Sequence, residues 1–194
     1  MKARKSITRF TIVMALAVLA VGVFAGAALA EDDQIGDFTL TGQANVTMTT
    51  VTMGHFTEAQ YSPSGTAATE ASASTFNVTD ARGSGAGWKV SFGASQFTAG
   101  THKLPTGIMM LQVMSAPTVV SGSTNKPTIT QESAIAVDGT TREITHADAS
   151  DDEFQGQGMG EYAFPAAHFH VTVPVGAYAA TYQSTLTITL AQAP

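Results

Sequence analysis

Hydrophobic and polar residues alternate along much of this chain, which is the pattern of β-strands with one buried face. Clusters of glycine, proline, serine and asparagine separate these runs and favour turns. The runs that predict strands cover residues 38–53, 76–78, 88–92, 108–113, 128–130, 134–137, 141–145, 162–164, 168–173 and 178–190. The chain is therefore predicted to fold as an all-β protein, a single antiparallel β-sandwich of immunoglobulin-like type.

The final run, residues 178–190, is the longest and the most regular. Alternation over this length predicts one long strand, in which alternate side chains point to the same side. Tyr182, Leu186, Ile188 and Leu190 share one parity. These four side chains are therefore predicted to face the same way.

Two predicted strands flank a glycine-rich segment near the middle of the chain. Residues 76–78 and 88–92 lie on either side of a segment that contains Asp80, Arg82 and three glycines. This composition predicts a hairpin, because glycine and aspartate favour tight turns. Trp88, the only tryptophan, would stand at the start of the second strand.

Other segments are predicted to be connections. Residues 57–74 and 115–127 combine proline, glycine and serine with few large hydrophobic side chains, so both are predicted to be loops. The pair Asp138-Gly139 favours a two-residue hairpin turn. It is predicted to join the strands at 134–137 and 141–145.

The first thirty residues differ in composition from the rest. A basic start is followed by a hydrophobic run from Ile12 to Leu29 and by Ala28-Leu29-Ala30. This three-part pattern predicts a secretory signal peptide over residues 1–30, with the β-sandwich over residues 31–194. No stable membrane span is expected after cleavage, although an uncleaved anchor is the alternative.

Charge and cysteine content narrow the function further. Residues 31–194 hold five lysines and arginines against fifteen aspartates and glutamates, a net charge of −10. This charge argues against binding to nucleic acid or to an anionic membrane. The chain has no cysteine, so disulfides and thiolate chemistry are excluded. Exported domains without disulfides are common among bacterial surface proteins, so the expected location is extracellular, at the surface of a bacterium.

An acidic segment late in the chain is a weak candidate metal site. Asp148, Asp151, Asp152 and Glu153 place four carboxylates within six residues. Calcium binds several oxygen ligands from one flexible loop, but the spacing does not match the usual calcium-loop pattern. The alternative is a solvated loop, so calcium is left open as the one candidate cofactor.

His168 and His170 are a second weak metal candidate. They lie two residues apart in a predicted strand and would point to the same side. Such a pair supplies two ligands of a metal site if a third comes from elsewhere. The alternative places both on the solvent face, with Phe169 in the core. No nucleophile or phosphate-loop motif accompanies them, so the protein is predicted not to be an enzyme.

The residues around the central turn admit two interpretations. Trp88 either fills the core or stacks, partly exposed, on a sugar ring. Arg82 and Asp80 form either an exposed ion pair that contributes little stability, or a site at which Arg82 binds a carboxylate of a cell-wall peptide.

The same residues carry a resemblance to a known family. The run Phe76-Asn-Val-Thr-Asp80-Ala-Arg82-Gly-Ser-Gly-Ala-Gly-Trp88-Lys-Val90 resembles the first signature of the WxL domain. The run Tyr182-Gln-Ser-Thr-Leu186-Thr-Ile188-Thr-Leu190 resembles the second. Val90 stands where the family has leucine, and Ile188 stands where it has tryptophan. Both substitutions keep a hydrophobic side chain, so the resemblance implies a WxL-like β-sandwich.

The resemblance also implies a function. WxL domains belong to exported surface proteins that attach to the cell wall without a covalent link. We therefore expect a non-enzymatic module that binds the cell wall, through peptidoglycan, or a partner surface protein, using the face that bears Trp88. One alternative is a homo-oligomeric subunit whose threonine-rich strands at 47–52 and 185–189 pair into a fibre or lattice. Another is a secreted protein that depends on calcium or a histidine-bound metal.

Overall fold

The computed structural model describes residues 39–150 and 156–192. Fourteen strands and no helix occur in these ranges, so no helix there is long and apolar enough to cross a membrane. The strands are β1 (Thr47–Met48), β2 (Ala67–Ser72), β3 (Phe76–Asp80), β4 (Trp88–Ala94), β5 (Thr98–Ala99), β6 (His102–Lys103), β7 (Met109–Leu111), β8 (Thr118–Gly122), β9 (Thr128–Ile129), β10 (Ile135–Ala136), β11 (Thr141–Ala147), β12 (Gly160–Phe164), β13 (His168–Val173) and β14 (Leu186–Gln192). The predicted signal peptide, residues 1–30, lies outside the described residues.

The strands form three sheets of four strands and one two-stranded ribbon. The first sheet has the order β1-β3-β12-β8, the second β10-β7-β13-β2 and the third β14-β4-β11-β9, while β5 pairs with β6. Every pair of named strands is antiparallel. The predicted all-β class is therefore confirmed.

The first two sheets form one continuous layer. Ser72 lies opposite His168 in the second sheet, and Phe76 lies opposite Phe164 in the first. Ser72 and Phe76 are four positions apart in the sequence, as are Phe164 and His168, so the register continues without an offset. The Ala73 N–H also donates to the Ala167 carbonyl over 2.8 Å, in the same register. The third sheet supplies the opposite layer, which makes the fold a β-sandwich.

Aromatic rings join the two layers in a single hydrophobic core. Phe92 of β4 packs against Phe76 of the first sheet and Phe169 of the second, with ring centroids 6.2 and 6.3 Å apart. Trp88 meets Phe164 edge to face at 6.4 Å. Such rings bury large apolar areas and supply much of the stabilisation of a core of this size.

Both predicted hairpins are wrong. Strands β3 and β4 do not pair; β3 lies in the first sheet and β4 in the third, so the glycine-rich segment between them crosses from one layer to the other. Likewise β10 lies in the second sheet and β11 in the third, and Asp138-Gly139 carries the chain across. Turn composition predicts a change of direction, but long-range pairing decides which strands become neighbours.

Segments predicted to be loops also contain strands. Strand β2 lies within residues 57–74, and β8 lies within residues 115–127. Conversely, the predicted long strand covers residues 178–190, but β14 begins only at Leu186, so residues 178–185 lie outside it. Strand β2 was missed because alanine, threonine and serine give a weak alternating signal, although Ala71 and Thr69 are buried.

Candidate functional site

The two signature segments lie side by side in the third sheet. Strand β4 pairs with β14 along its whole length, with Val90 opposite Leu190 and Phe92 opposite Ile188. Val90 is buried, while Leu186, Ile188 and Leu190 are half-buried and pack against the core. The prediction that these alternate residues share one side is confirmed. Val90 and Ile188, which depart from the family signatures, therefore both serve the core.

Trp88 is a core residue. Its side chain is 1% exposed, and the indole N–H donates to the Gly158 carbonyl over 3.1 Å. A buried indole needs such a partner, because an unpaired N–H in the core is costly. The interpretation of Trp88 as a core residue is confirmed, and the interpretation as an exposed platform for a sugar is wrong.

Gly158 shapes the backbone that covers this indole. It adopts a φ of +69°, which glycine accepts without strain. A Cβ at this position would lie 2.3 Å from the Ala147 Cβ and 2.9 Å from the Trp88 indole nitrogen. The chain therefore approaches the tryptophan as closely as it does only because no side chain is present.

Arg82 and Asp80 form a buried ion pair. Two guanidinium nitrogens donate to the two carboxylate oxygens over 3.0 and 2.9 Å, and the side chains are only 8% and 2% exposed. The guanidinium also donates to the Gly87 carbonyl over 2.7 Å. The hydrogen bond to Asp80 raises the pKa of Arg82. The ion pair therefore stabilises the glycine-rich segment between β3 and β4. Because both side chains are buried, the prediction of an exposed pair is wrong.

The surface next to Trp88 is an open recess of about 430 Å³. It is lined in part by Lys89, Glu143, His146 and Asp148. These side chains contact one another: His146 lies 2.9 Å from Glu143 and 3.5 Å from Asp148, and Lys89 lies 3.9 Å from Glu143. The recess presents charged groups already paired with each other rather than an exposed aromatic ring.

The weak metal candidates are not assembled into a site in the part of the chain that the structure describes. Asp148 is exposed, whereas Asp151, Asp152 and Glu153 lie outside the described residues. Among residues 39–150 and 156–192, no group of three or more histidine, aspartate or glutamate side chains is placed to hold a metal ion. Calcium binding by the acidic segment stays a prediction.

His168 and His170 lie on the outer side of β13. Phe169 between them is buried, which is the arrangement that the non-metal interpretation predicts. His168 Nδ1 is 2.8 Å from the Ser72 hydroxyl, and His170 Nδ1 is 3.5 Å from a Glu70 carboxylate oxygen. Each ring thus contacts a side chain of the neighbouring strand β2.

A second, larger groove lies at the end of the second sheet where Ala67 of β2 pairs with Val173 of β13. Its volume is about 580 Å³, and it is lined by residues 56–62, by parts of β2 and β13, and by residues 177–182. Phe97 and Leu104 also line it. We call it the tyrosine groove, because three tyrosines border it: Tyr61, Tyr178 and Tyr182.

Two of these tyrosines are largely exposed. Tyr61 is 59% and Tyr178 is 67% exposed, which places both among the most exposed large hydrophobic side chains of the fold. The imidazole of His102 stacks on the Tyr178 ring with centroids 4.2 Å apart. The hydroxyl of Tyr182, a residue of the second signature, donates to the Tyr178 carbonyl over 3.1 Å. Tyr182 therefore positions the backbone of Tyr178, whose ring is exposed.

Hydrogen bonds fasten both segments that form the groove. The Thr57 N–H donates to the Glu70 carbonyl over 3.0 Å, and the Thr57 and Thr69 hydroxyls are 3.1 Å apart. On the other segment, Thr98 and Gln183 exchange two backbone hydrogen bonds of 2.9 Å. The groove is thus built on ordered backbone.

No motif in the sequence predicts this groove. Tyr61 falls in a segment predicted to be a loop, and Tyr178 falls at the start of a predicted strand. Aromatic side chains between proline, glycine and alanine residues are a usable signal, because such segments offer little core in which to bury them.

A comparison with known protein families identifies the same family that the two signature segments resemble. The family model of the WxL domain, a surface domain that binds the cell wall, matches residues 33–194. No curated protein and no solved structure matches the chain. The match covers most of the sequence and includes both signature segments. The chain therefore belongs to the WxL family of cell-wall-binding domains, and it is a protein of the bacterial cell surface.

Proposed function

We propose that this chain is a non-enzymatic module that attaches to the cell wall by binding peptidoglycan. The family assigns wall binding to the domain as a whole. The observation that selects peptidoglycan is charge: residues 31–194 carry a net charge of −10. Bacterial walls also contain anionic polymers, and these repel a surface of the same sign.

The signature residues support the fold and take no part in a catalytic step. Trp88, Arg82 and Asp80 are engaged in hydrogen bonds within the fold. Breaking these bonds to contact a ligand would leave polar groups unpaired in the core, which is costly. Their role in wall binding is to hold the sandwich together, while exposed side chains contact the wall.

Sedimentation with two wall preparations tests this proposal. The purified protein is mixed with peptidoglycan stripped of anionic polymers and, separately, with walls that retain them. We expect it to sediment with the stripped peptidoglycan, and we expect binding to persist when the salt concentration rises, because screening weakens only charge-driven contacts. A protein that sediments only with walls that keep their anionic polymers would contradict the proposal.

The placement of two edge strands favours a second function, that of a structural subunit. Strand β14, which holds most of the threonine-rich segment 185–189, and strand β1, which holds only the first two residues of the segment 47–52, each lie at the edge of a sheet. Thr187 and Thr189 of β14 are exposed. An edge strand offers unpaired backbone groups to a second copy or to a partner surface protein. A protein that stays monomeric at high concentration, by size-exclusion chromatography and electron microscopy, would contradict self-assembly.

Calcium dependence is the third function to test. It rests on Asp148 together with Asp151, Asp152 and Glu153 of the acidic segment. A bound ion stabilises the folded state in proportion to its affinity, so chelation would lower the melting temperature. An unchanged melting temperature after chelator treatment would rule out a stabilising calcium ion.

A further inference from the structure

We infer that the tyrosine groove is a carbohydrate site that takes a linear strand of uncharged, N-acetylated amino sugars. This inference rests on the proposed function, since peptidoglycan is built on such strands. The glycan would then contact a surface that contains no residue of the first signature. The alternative surface, the recess beside Trp88, offers paired charges instead.

The exposed rings supply the main contact. A sugar ring has faces formed by C–H groups, and these pack well on the flat face of an aromatic side chain. Tyr61 and Tyr178 line the same groove and keep more than half of their surface exposed. Two exposed rings that line the same groove form a patch, and exposed hydrophobic patches often mark ligand-binding grooves.

The polar lining matches a neutral ligand. Thr57, Gln60, Ser62 and Thr181 contribute hydroxyl and amide groups, which suit the hydroxyl and acetamido groups of amino sugars. Glu58 is the one charged side chain among the described residues that line the groove, and none of them is a lysine or an arginine. A phosphate-rich polymer would need cationic partners, so the lining favours a glycan over an anionic chain.

The groove is also ordered before any ligand arrives. His102 covers one face of the Tyr178 ring, which leaves the other face for a sugar. The Tyr182 hydroxyl fixes the Tyr178 backbone, and the Thr98–Gln183 pair fixes the segment that follows. A preformed site loses less side-chain and backbone entropy on binding. Its volume of about 580 Å³ falls within the usual range of small-ligand sites.

Titration with a soluble oligosaccharide tests this site. The probe is the linear β-1,4-linked tetramer of N-acetylglucosamine, added to the purified protein and followed by calorimetry. We expect the wild type to bind, and we expect Tyr61→Ala and Tyr178→Ala each to weaken binding about tenfold, the usual loss when a central aromatic contact is removed. Tyr61→Phe and Tyr178→Phe keep the ring and should retain most of the affinity.

Matched controls separate the groove from general surface effects. Val120→Ala removes an exposed hydrophobic side chain from β8, outside the groove, and should leave binding unchanged. All of these positions are exposed, so each variant should melt at the temperature of the wild type. His102→Ala, which removes the ring beneath Tyr178, should weaken binding without altering the melting temperature.

Two results would overturn the inference. One is a tetramer affinity that stays the same in Tyr61→Ala and Tyr178→Ala. The other is a wild type that sediments with stripped peptidoglycan but binds no tetramer, which would leave the proposed function in place and remove the glycan site. A wild type that fails to sediment with any wall preparation would instead contradict the proposed function itself.

Discussion

The indole N–H of Trp88 donates to the backbone carbonyl of Gly158, which lies seventy residues later in the chain. This bond joins the start of β4 to the glycine-rich segment before β12. It therefore ties the third sheet to the opposite layer at the point where the first signature ends. The most recognisable residue of the chain thus acts within the core.

Gly158→Ala should destabilise the domain more than a glycine replacement with the same backbone angle elsewhere. Gly83 has a φ of +68° against +69° at Gly158, but a Cβ at Gly83 would meet nothing within 4 Å. We expect Gly83→Ala to cost about 1 kcal/mol through backbone strain. Gly158→Ala should cost a further 1–3 kcal/mol or so through overpacking against Trp88. Urea unfolding of both variants gives the difference, and equal costs would contradict the close packing.

Trp88→Ala should lower the free energy of unfolding by about 3–5 kcal/mol, because it empties a large volume in the core. Trp88→Phe keeps part of that volume and loses the hydrogen bond to Gly158, so a smaller loss is expected. Chemical denaturation measures both. A Trp88→Ala variant as stable as the wild type would contradict the buried position of the indole.

Arg82→Met should cost about 3–5 kcal/mol, because it leaves the buried Asp80 carboxylate without its partner. Lys89→Met is the matched control: Lys89 also forms an ion pair, with Glu143, but its side chain is 56% exposed. Exposed pairs contribute at most about 1 kcal/mol. Similar losses in the two variants, measured by denaturant unfolding, would show that the Arg82 pair is not buried in solution.

Stability should fall at alkaline pH because of Tyr162. Burial raises the pKa of its phenol above the ordinary value of about 10. The unfolded chain therefore releases this proton at a lower pH than the folded chain does. The contribution of the neutral phenol is complete below pH 10 and is lost as the pH rises through the folded-state value.

Tyr162→Phe should remove this part of the alkaline loss. At neutral pH it should cost roughly 1 kcal/mol, since the hydroxyl donates to the Ser123 carbonyl over 2.7 Å. The measurement is the difference in unfolding free energy between variant and wild type from pH 8 to 11. A difference that does not change over this range would contradict the prediction.

Much of the fold follows from the alternation of hydrophobic residues. Val90, Leu186, Ile188 and Leu190 were placed correctly because a period of two fixes the side on which a residue lies. The pairing of β4 with β14 depends instead on contacts between residues about a hundred positions apart in the sequence. Turn residues such as Asp138-Gly139 mark a reversal of the chain without specifying its partner, and so both hairpins were predicted wrongly.

The candidate site was harder to predict for a related reason. The ring of Trp88 is large and amphipathic, so the sequence allowed both a buried and an exposed position. The structure resolves this, because only the folded chain brings Phe164 and the Gly158 carbonyl to the indole. Tyr61 and Tyr178 are 117 residues apart in the sequence and share one groove only through the pairing of β2 with β13.

Sedimentation of three proteins with stripped peptidoglycan tests the central claim, that exposed tyrosines contact the wall while the signature tryptophan supports the fold. The proteins are the wild type, a folded Trp88→Phe variant and the double variant Tyr61→Ala/Tyr178→Ala. The wild type and Trp88→Phe should sediment to the same extent, and the double variant should stay in the supernatant. A double variant that sediments like the wild type, with a folded Trp88→Phe variant left in the supernatant, would contradict the account.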